Sequence, residues 1–290
     1  MSLICTNFQK SYGTSTVLKG GTLVAQKGEI TGLIGKNGAG KSTTFKIITG
    51  LLQREKGQFS WNDLEVDPTS IKWKSKLGYL AEHNPVYKSM YIKEFLKFAC
   101  EMYSLKNSKD RIDEVIVQTG LTDYANRKIV ELSKGYRQRV GIAQSIINDP
   151  EVLILDEPTS GLDPSQLVEI RSLIKGLSKD RVVILSSHIL SEVEQICNSV
   201  YLLKDGVVSL LNGEDQFERL RMRFSENVDA SLFESIGQLL NLKSDGFDIE
   251  LYKNSTRVEL FDCAVQHNLK IVEMSSLSDG LMDQFIQKSN

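Results

Sequence analysis

The segment Gly35-Lys36-Asn37-Gly38-Ala39-Gly40-Lys41-Ser42-Thr43 constrains this chain more than any other. An apolar run at residues 29–34 precedes it and has the character of a buried strand. Residues 41–49 follow it with helical character and stop at Gly50, placed as the glycine just past a helix end. Strand, glycine-rich loop and helix in that order form the phosphate-loop pattern. In that pattern glycines let backbone N–H groups curl around anionic oxygens at a helix N-terminus, whose dipole favours negative charge. Gly35, Asn37, Gly38, Ala39 and Gly40 supply the backbone cradle. Lys41 is expected to reach the β and γ phosphates of a bound nucleotide, Ser42 to offer its hydroxyl to Mg²⁺, and Thr43 to add a phosphate hydrogen bond. A glycine-rich turn without a ligand is the alternative, and the flanking elements count against it.

A second acidic feature supports the first. Val152-Leu153-Ile154-Leu155-Asp156-Glu157 is an apolar strand ending in two carboxylates, which puts acidic oxygens at the strand edge where α/β sheets bind ligands. Asp156 fits the organisation of Mg²⁺, directly or through water, and Glu157 fits the group that polarises an attacking water. A strand ending in acids is often only a solvated turn, so the pair gains its meaning from the phosphate loop.

Composition sets the outer bounds. The 290 residues, 41% hydrophobic and 25% charged, are ordinary globular material for one large or two moderate domains. A formal charge of −2 gives no general basic field for gripping nucleic acid. Cys5, Cys100, Cys197 and Cys263 stand singly, without the paired spacing of zinc or redox motifs, and are expected to be reduced thiols of a cytosolic protein. No apolar run approaches the span of a bilayer, and the start lacks a basic segment followed by a long apolar one.

Along the chain, residues 1–28 suggest short strands around a turn at 12–16, and residues 85–147 a helical insert. Ile92, Phe95, Leu96, Ala99 and Tyr103 share one face of that insert; Ile112, Val115 and Ile116 follow before Gly120. Asp163-Pro164-Ser165-Gln166 is a capping box with proline at the first helical position. A strand at 181–185, a short helix at 191–198 and a hairpin turning at Lys204-Asp205-Gly206 come next. These patterns predict a main domain over 1–215, with its helical part at about 86–148. A small α+β domain over 216–290 would be built from strands at 248–252 and 269–274, an amphipathic segment at 256–267 and a last helix at 279–287.

Leu132-Ser133-Lys134-Gly135-Tyr136-Arg137-Gln138, just upstream of the acidic strand, resembles the LSGGQ signature of ATP-binding cassette (ABC) ATPases. Ser160-Gly161-Leu162-Asp163 is similar to that family's D-loop, His188 to its switch histidine, and Tyr12 to the aromatic that stacks on adenine. The likeness covers roughly residues 2–211. It implies a P-loop NTPase cassette with a RecA-like core, an antiparallel β subdomain and a helical subdomain, followed by the small α+β domain. It also implies hydrolysis of MgATP with Glu157 and His188 as catalytic residues, and Ser42, Glu82 and Asp156 around the metal. Ser133 and Gly135 would face a nucleotide held by another subunit, and Asp163 would lie beside it. The implied assembly is a head-to-tail dimer, with a second copy or a homologous cassette, driving a separate transmembrane permease from the cytoplasmic face.

Three motifs depart from the family pattern. Glu82 stands where the Q-loop glutamine is usual, Lys134 and Tyr136 replace signature glycine and glutamine, and Gly161 replaces the commoner D-loop alanine, a change without obvious chemical cost. The stretch Gly-Tyr-Leu-Ala-Glu-His-Asn-Pro-Val-Tyr at 78–87, with the signature region, is most similar to the gliding-motility-associated branch, related to exporters with separate membrane proteins. A soluble clamp acting on ribosomes or DNA is the alternative. Such ATPases usually carry a long coiled-coil insertion or two fused cassettes, and this sequence has neither.

Overall fold

The computed structural model describes residues 1–211, 219–252 and 255–276, and the chain divides into two compact units, Met1–Leu211 and Asn212–Asn290. The first unit opens with β1 (Ser2–Tyr12) and β2 (Ser15–Gln26), an antiparallel hairpin longer than the short strands expected. Leu3, Cys5, Leu23 and Ala25 point inward at every second position, the period of a half-buried sheet. Then come β3 (Ile30–Ile34), α1 (Lys41–Ile48), β4 (Lys56–Trp61), β5 (Leu64–Glu65), the short α2 (Ile71–Lys74) and β6 (Leu77–Leu80). The strands β4 and β6 were not anticipated. Gly50 does end α1, with φ +66, and a Cβ there would lie 1.9 Å from the Pro68 carbonyl oxygen.

The helical insert consists of α3 (Ile92–Met102), α4 (Ser108–Gln118) and α5 (Lys134–Ser145). Ile92, Phe95, Leu96 and Ala99 are buried as expected, but Cys100 takes the place assigned to Tyr103. The helix ends at Met102, and Tyr103 lies past its last turn with 42% exposure. After α5 come β7 (Val152–Leu155), α6 (Pro164–Ser178), β8 (Val182–Ser187), α7 (Leu190–Glu194), β9 (Ser199–Lys204) and β10 (Val207–Leu210). The helix α7 is shorter than the 191–198 expected. The β9–β10 hairpin turns at Asp205 and Gly206, both at positive φ, which is the geometry a tight hairpin demands.

One ten-stranded sheet, in the order β5-β4-β1-β2-β10-β9-β3-β8-β7-β6, runs through this unit. From β9 to β6 the neighbours are parallel, and β3, β7 and β8 are buried along their whole length. Such strands favour near-continuous apolar runs rather than alternation, as in Val152–Leu155 and residues 182–185, with Thr31, Ser186 and Ser187 as buried polar exceptions. The other end, from β1 to β5, is antiparallel. The unit is thus an α/β cassette with a RecA-like parallel core, an antiparallel β part and a helical insert. The ends of β3 and β7 aim their following loops at one edge of the sheet.

The second unit has a four-stranded antiparallel sheet. Its strands are β11 (Arg219–Phe224), β12 (Gly237–Lys243), β13 (Gly246–Leu251) and β14 (Ile271–Ser276), in the order β12-β13-β11-β14, with α8 (Arg257–Gln266) between β13 and β14. Leu220, Met222, Phe224, Phe233, Phe247, Ile249, Leu260 and Ala264 share its core. Thr256 and Glu259 form a capping box at the start of α8. Strands β11 and β12 had not been expected, and the helix expected at 279–287 lies outside the described residues.

Candidate nucleotide-binding and active site

The loop between β3 and α1 is shaped by two glycines at positive φ, Gly38 at +81° and Gly40 at +110°. Gly40 is also the N-cap of α1, so no side chain caps this helix, and no acidic residue occupies its first turn. The N–H groups at that end are left to an outside acceptor, in a field that favours an anion. Gly35 and Ala39 do not line the cleft; they build the loop from behind. The Gly35 carbonyl accepts from Lys41 Nζ at 2.9 Å, and a Cβ on Gly35 would lie 2.8 Å from the Leu203 carbonyl oxygen.

A cavity of about 390 Å³ opens over this loop, lined by Asn37, Gly38, Gly40, Lys41, Ser42, Thr43, Glu82, Glu157, Ser160, His188 and Val17. Residues far apart in sequence meet here. Lys41 Nζ lies 3.3 Å from Glu157 Oε1, a buried ion pair. Glu157 Oε2 in turn lies 2.9 Å from His188 Nδ1. Glu157 has φ +50, in the left-handed region that a residue with a Cβ adopts at a cost of about 1–2 kcal/mol. The turn it makes at the end of β7 carries its carboxylate into the cleft.

Asp156 is 1% exposed and sits beneath the same cleft. Burial pushes its carboxyl above the ordinary range, hydrogen bonds from Ser186 and Ser42 work against that rise, and the neighbouring Glu82 and Glu157 carboxylates add to it. Ser186 on β8 gives its one proton to Asp156 Oδ1 at 2.6 Å and accepts the Glu157 N–H at 2.8 Å, so a single hydroxyl orients both acidic residues.

Sequence reasoning had passed over Ser186, and over Val17 and Ser160 as lining residues. A serine ending the apolar strand before His188 was the available signal for Ser186. Val17 packs on the loop: a Cβ on Gly40 would lie 3.0 Å from its Cγ1.

Among the described residues, no group of three or more His, Cys, Asp and Glu side chains could by itself cage a metal ion. That agrees with the chemistry expected of Mg²⁺, which is held by one or two carboxylates plus substrate phosphates rather than by an all-protein cage. The residues present fit such an ion. The Ser42 hydroxyl hydrogen-bonds Asp156, and Asp156 carries the unfavourable fields of Glu82 and Glu157, which a divalent cation would relieve.

The remaining sequence-predicted residues lie elsewhere. Tyr12, at the tip of the β1–β2 hairpin, is 50% exposed with the Lys10 ammonium 5.8 Å from its ring centre, and it does not line the cavity. Ser133 caps α5, accepting from the Tyr136 N–H at 3.3 Å, and Asp163 caps α6, accepting from the Gln166 N–H at 2.9 Å. Gly135 is buried against Gln166, whose Oε1 would lie 2.6 Å from a Cβ there. None of these lines the cavity over the chain's own phosphate loop.

Two departures from the family pattern meet in space. A Cβ on Gly161, at φ +65, would lie 2.2 Å from Lys134 Nζ. The close atom is the far end of a flexible side chain, which can move aside, so the contact leaves standing the expectation that Gly161 carries no obvious chemical cost. Tyr136, the other unusual signature residue, packs on Tyr124 with ring centres 4.0 Å apart, and Arg139 lies 5.6 Å from its ring centre.

A family model described as ABC transporter matches residues 18–160. Over 289 residues the chain is 32% identical to an uncharacterised ABC transporter ATP-binding protein, YhcH, of Bacillus subtilis (strain 168), spanning 97% of this chain and 93% of that one. It is 36% identical over 223 residues to a lantibiotic transport ATP-binding protein, SrtF, of Streptococcus pyogenes, covering 77% of this chain and 95% of the relative. A solved ATP binding subunit of an ABC transporter superposes with a TM-score of 0.63 at 30% identity, over 72% of this chain and 88% of the other. With the phosphate loop, acidic strand and parallel core in place, the chain belongs to the ATP-binding proteins of ABC transporters, a family that hydrolyses ATP.

Proposed function

We propose that this chain binds MgATP in the cleft over Gly35–Thr43 and hydrolyses it as one half of a head-to-tail cassette dimer that drives a separate membrane permease in the export direction. The observation that carries this reading is the convergence of Lys41, Ser42, Glu157 and His188 on one cavity, with Asp156 hydrogen-bonded to Ser42 beside it. The N–H groups of the loop and of the α1 N-terminus cradle the phosphates, and Lys41 exchanges its contact with Glu157 for the terminal phosphate oxygens. Ser42 and Asp156 would hold a magnesium ion, with Glu82 at its edge, and that ion would supply electrostatic stabilisation of the charge developing on the terminal phosphoryl group. Glu157, freed from Lys41, accepts a proton from the attacking water, and His188 Nδ1 holds the carboxylate in line.

The dimer is supported by the location of Ser133 and Gly135 outside the chain's own cleft, at the start of a helix whose N-terminal field suits a phosphate brought by a partner. A membrane partner is supported by the family. Export is supported by the lantibiotic transport relative. Glu82, the helical insert and exposed aromatic residues such as Tyr87 and Tyr91 are the elements we assign to passing motion to the permease. Tyr12 serves as a face for adenine, and residues 216–290 form an accessory domain.

Phosphate release measured on Glu157→Gln tests the core of this reading. Turnover should fall by about 10²–10⁴-fold with ATP still bound and a stable dimer accumulating on size exclusion. Turnover at the normal rate would remove Glu157 from the chemistry.

A further inference from the structure

Two residues beyond Glu82, the side chain of Asn84 docks on the helix that carries the signature residues. Its Nδ2 donates to the backbone carbonyl of Arg137 in α5 at 2.7 Å. Its amide lies against Gly141: a Cβ there would come within 2.3 Å of Nδ2, 2.4 Å of Oδ1 and 2.5 Å of Cγ. Glycine in a helix interior normally weakens the helix, and here it opens the notch into which the amide fits. Asn84 Oδ1 is buried without a hydrogen-bond partner. A buried orphan acceptor is a penalty that simple packing would avoid, and it marks the contact as one held in place by its surroundings.

The two ends of this contact matter. Glu82, two residues before Asn84, lines the nucleotide cleft. The helix α5 begins with the Ser133 cap and buried Gly135, and from Gly141 back to Ser133 it spans eight residues, about 12 Å of rigid rod. A shift of the Glu82 loop therefore bears on α5 through the Asn84 side chain, by one hydrogen bond and one steric notch.

We propose that Asn84 is a positioning residue. Seated over Gly141, it ties the Glu82 loop of one chain to the Ser133 end of α5, so that nucleotide engaged by Glu82 in its own cleft sets the phosphate-binding surface presented to the partner. The proposal rests on the reading of Glu82 and Ser133 given under Proposed function.

The test is a double-mutant cycle on the full chain, measuring labelled-ATP uptake, Tm, KM and kcat for Asn84→Ala, Gly141→Ala and the pair. Asn84→Ala should keep nucleotide uptake and lower kcat by about tenfold. Gly141→Ala, which expels the amide, should lower it equally, and the pair should show no further loss because both changes break one link. Asn84→Asp keeps the shape and fills the notch but cannot donate to the Arg137 carbonyl; it should behave as Asn84→Ala and guards against a mere packing defect. Normal kcat in Asn84→Ala and Asn84→Asp, or additive losses in the pair, would overturn the coupling and leave the functional reading standing. Absence of ATP uptake by the unmodified chain would sink both.

Discussion

Asp156 shows how the site trades stability for chemistry. Its pKa is raised, chiefly by burial, so the ionised form is less favourable in the folded chain than in the unfolded one. A group whose folded pKa lies above its unfolded value contributes stability that is present below the unfolded pKa and is lost as pH rises through the folded one. Without metal, then, the chain should weaken from acid toward neutral pH through this residue. Asp156→Asn removes the buried charge and should stabilise the metal-free chain by about 1 kcal/mol at pH 8, with the gain shrinking as pH falls into the ordinary carboxylate range, while abolishing turnover. Urea unfolding in chelator at pH 8 and in the ordinary carboxylate range checks it; an equal gain at both, or none at either, would mean that Asp156 is not strained by burial. The Lys41–Glu157 pair shows the same trade at close range, with two buried charges matched to each other in a cleft built to receive phosphate.

Between elements, the helix α5 is shaped by what approaches it. Gly135 yields to Gln166 of α6, Gly141 to Asn84, and Lys134 at the first helical position lies over Gly161. A single substitution separates steric fit from backbone strain. Gly161→Ala should destabilise the chain by about 1 kcal/mol because φ is +65 there, and it should also displace the lysine ammonium. The ammonium ends a flexible side chain that can swing clear, so urea unfolding should show nearly the same loss in a Lys134→Ala background; a much smaller loss there would show that the lysine is held against residue 161. In the second unit the element contacts are electrostatic as well as apolar. Arg221 on β11 and Asn241 on β12 both donate to Asp248 on β13, at 2.9 and 3.0 Å. The Arg221 hydrogen bond, the largest cause, holds that carboxyl below the ordinary range. This contribution is present above the unfolded carboxylate pKa and is lost as pH falls through the lower folded value, the opposite sign to Asp156.

At the scale of the molecule, the two units have cores that share no residue. A chain ending at Leu211 should therefore unfold cooperatively and bind ATP as the full chain does, as read by calorimetry and nucleotide titration; an aggregated fragment would show that the first unit depends on the second. Much of the first unit was legible in sequence. A backbone cradle needs contiguous glycines, and a fully buried parallel strand needs contiguous apolar residues, so the Gly35–Thr43 loop, β3 and β7 announce themselves locally. Less was legible in the second unit. Arg-Leu-Arg-Met-Arg-Phe at 219–224 alternates as a strand should and was missed, while Gly237–Lys243 has no such alternation to find. The sequence by itself determined the phosphate loop, the acidic strand and the family, because each depends on residues adjacent along the chain. Only the tertiary structure decided that Ser186 would serve both Asp156 and Glu157, that Glu157 would bridge Lys41 and His188, and that Asn84 would find Gly141. Those contacts depend on strand register and helix packing, in which Leu155 lies opposite Leu185, and no local pattern encodes which distant neighbour a side chain will meet.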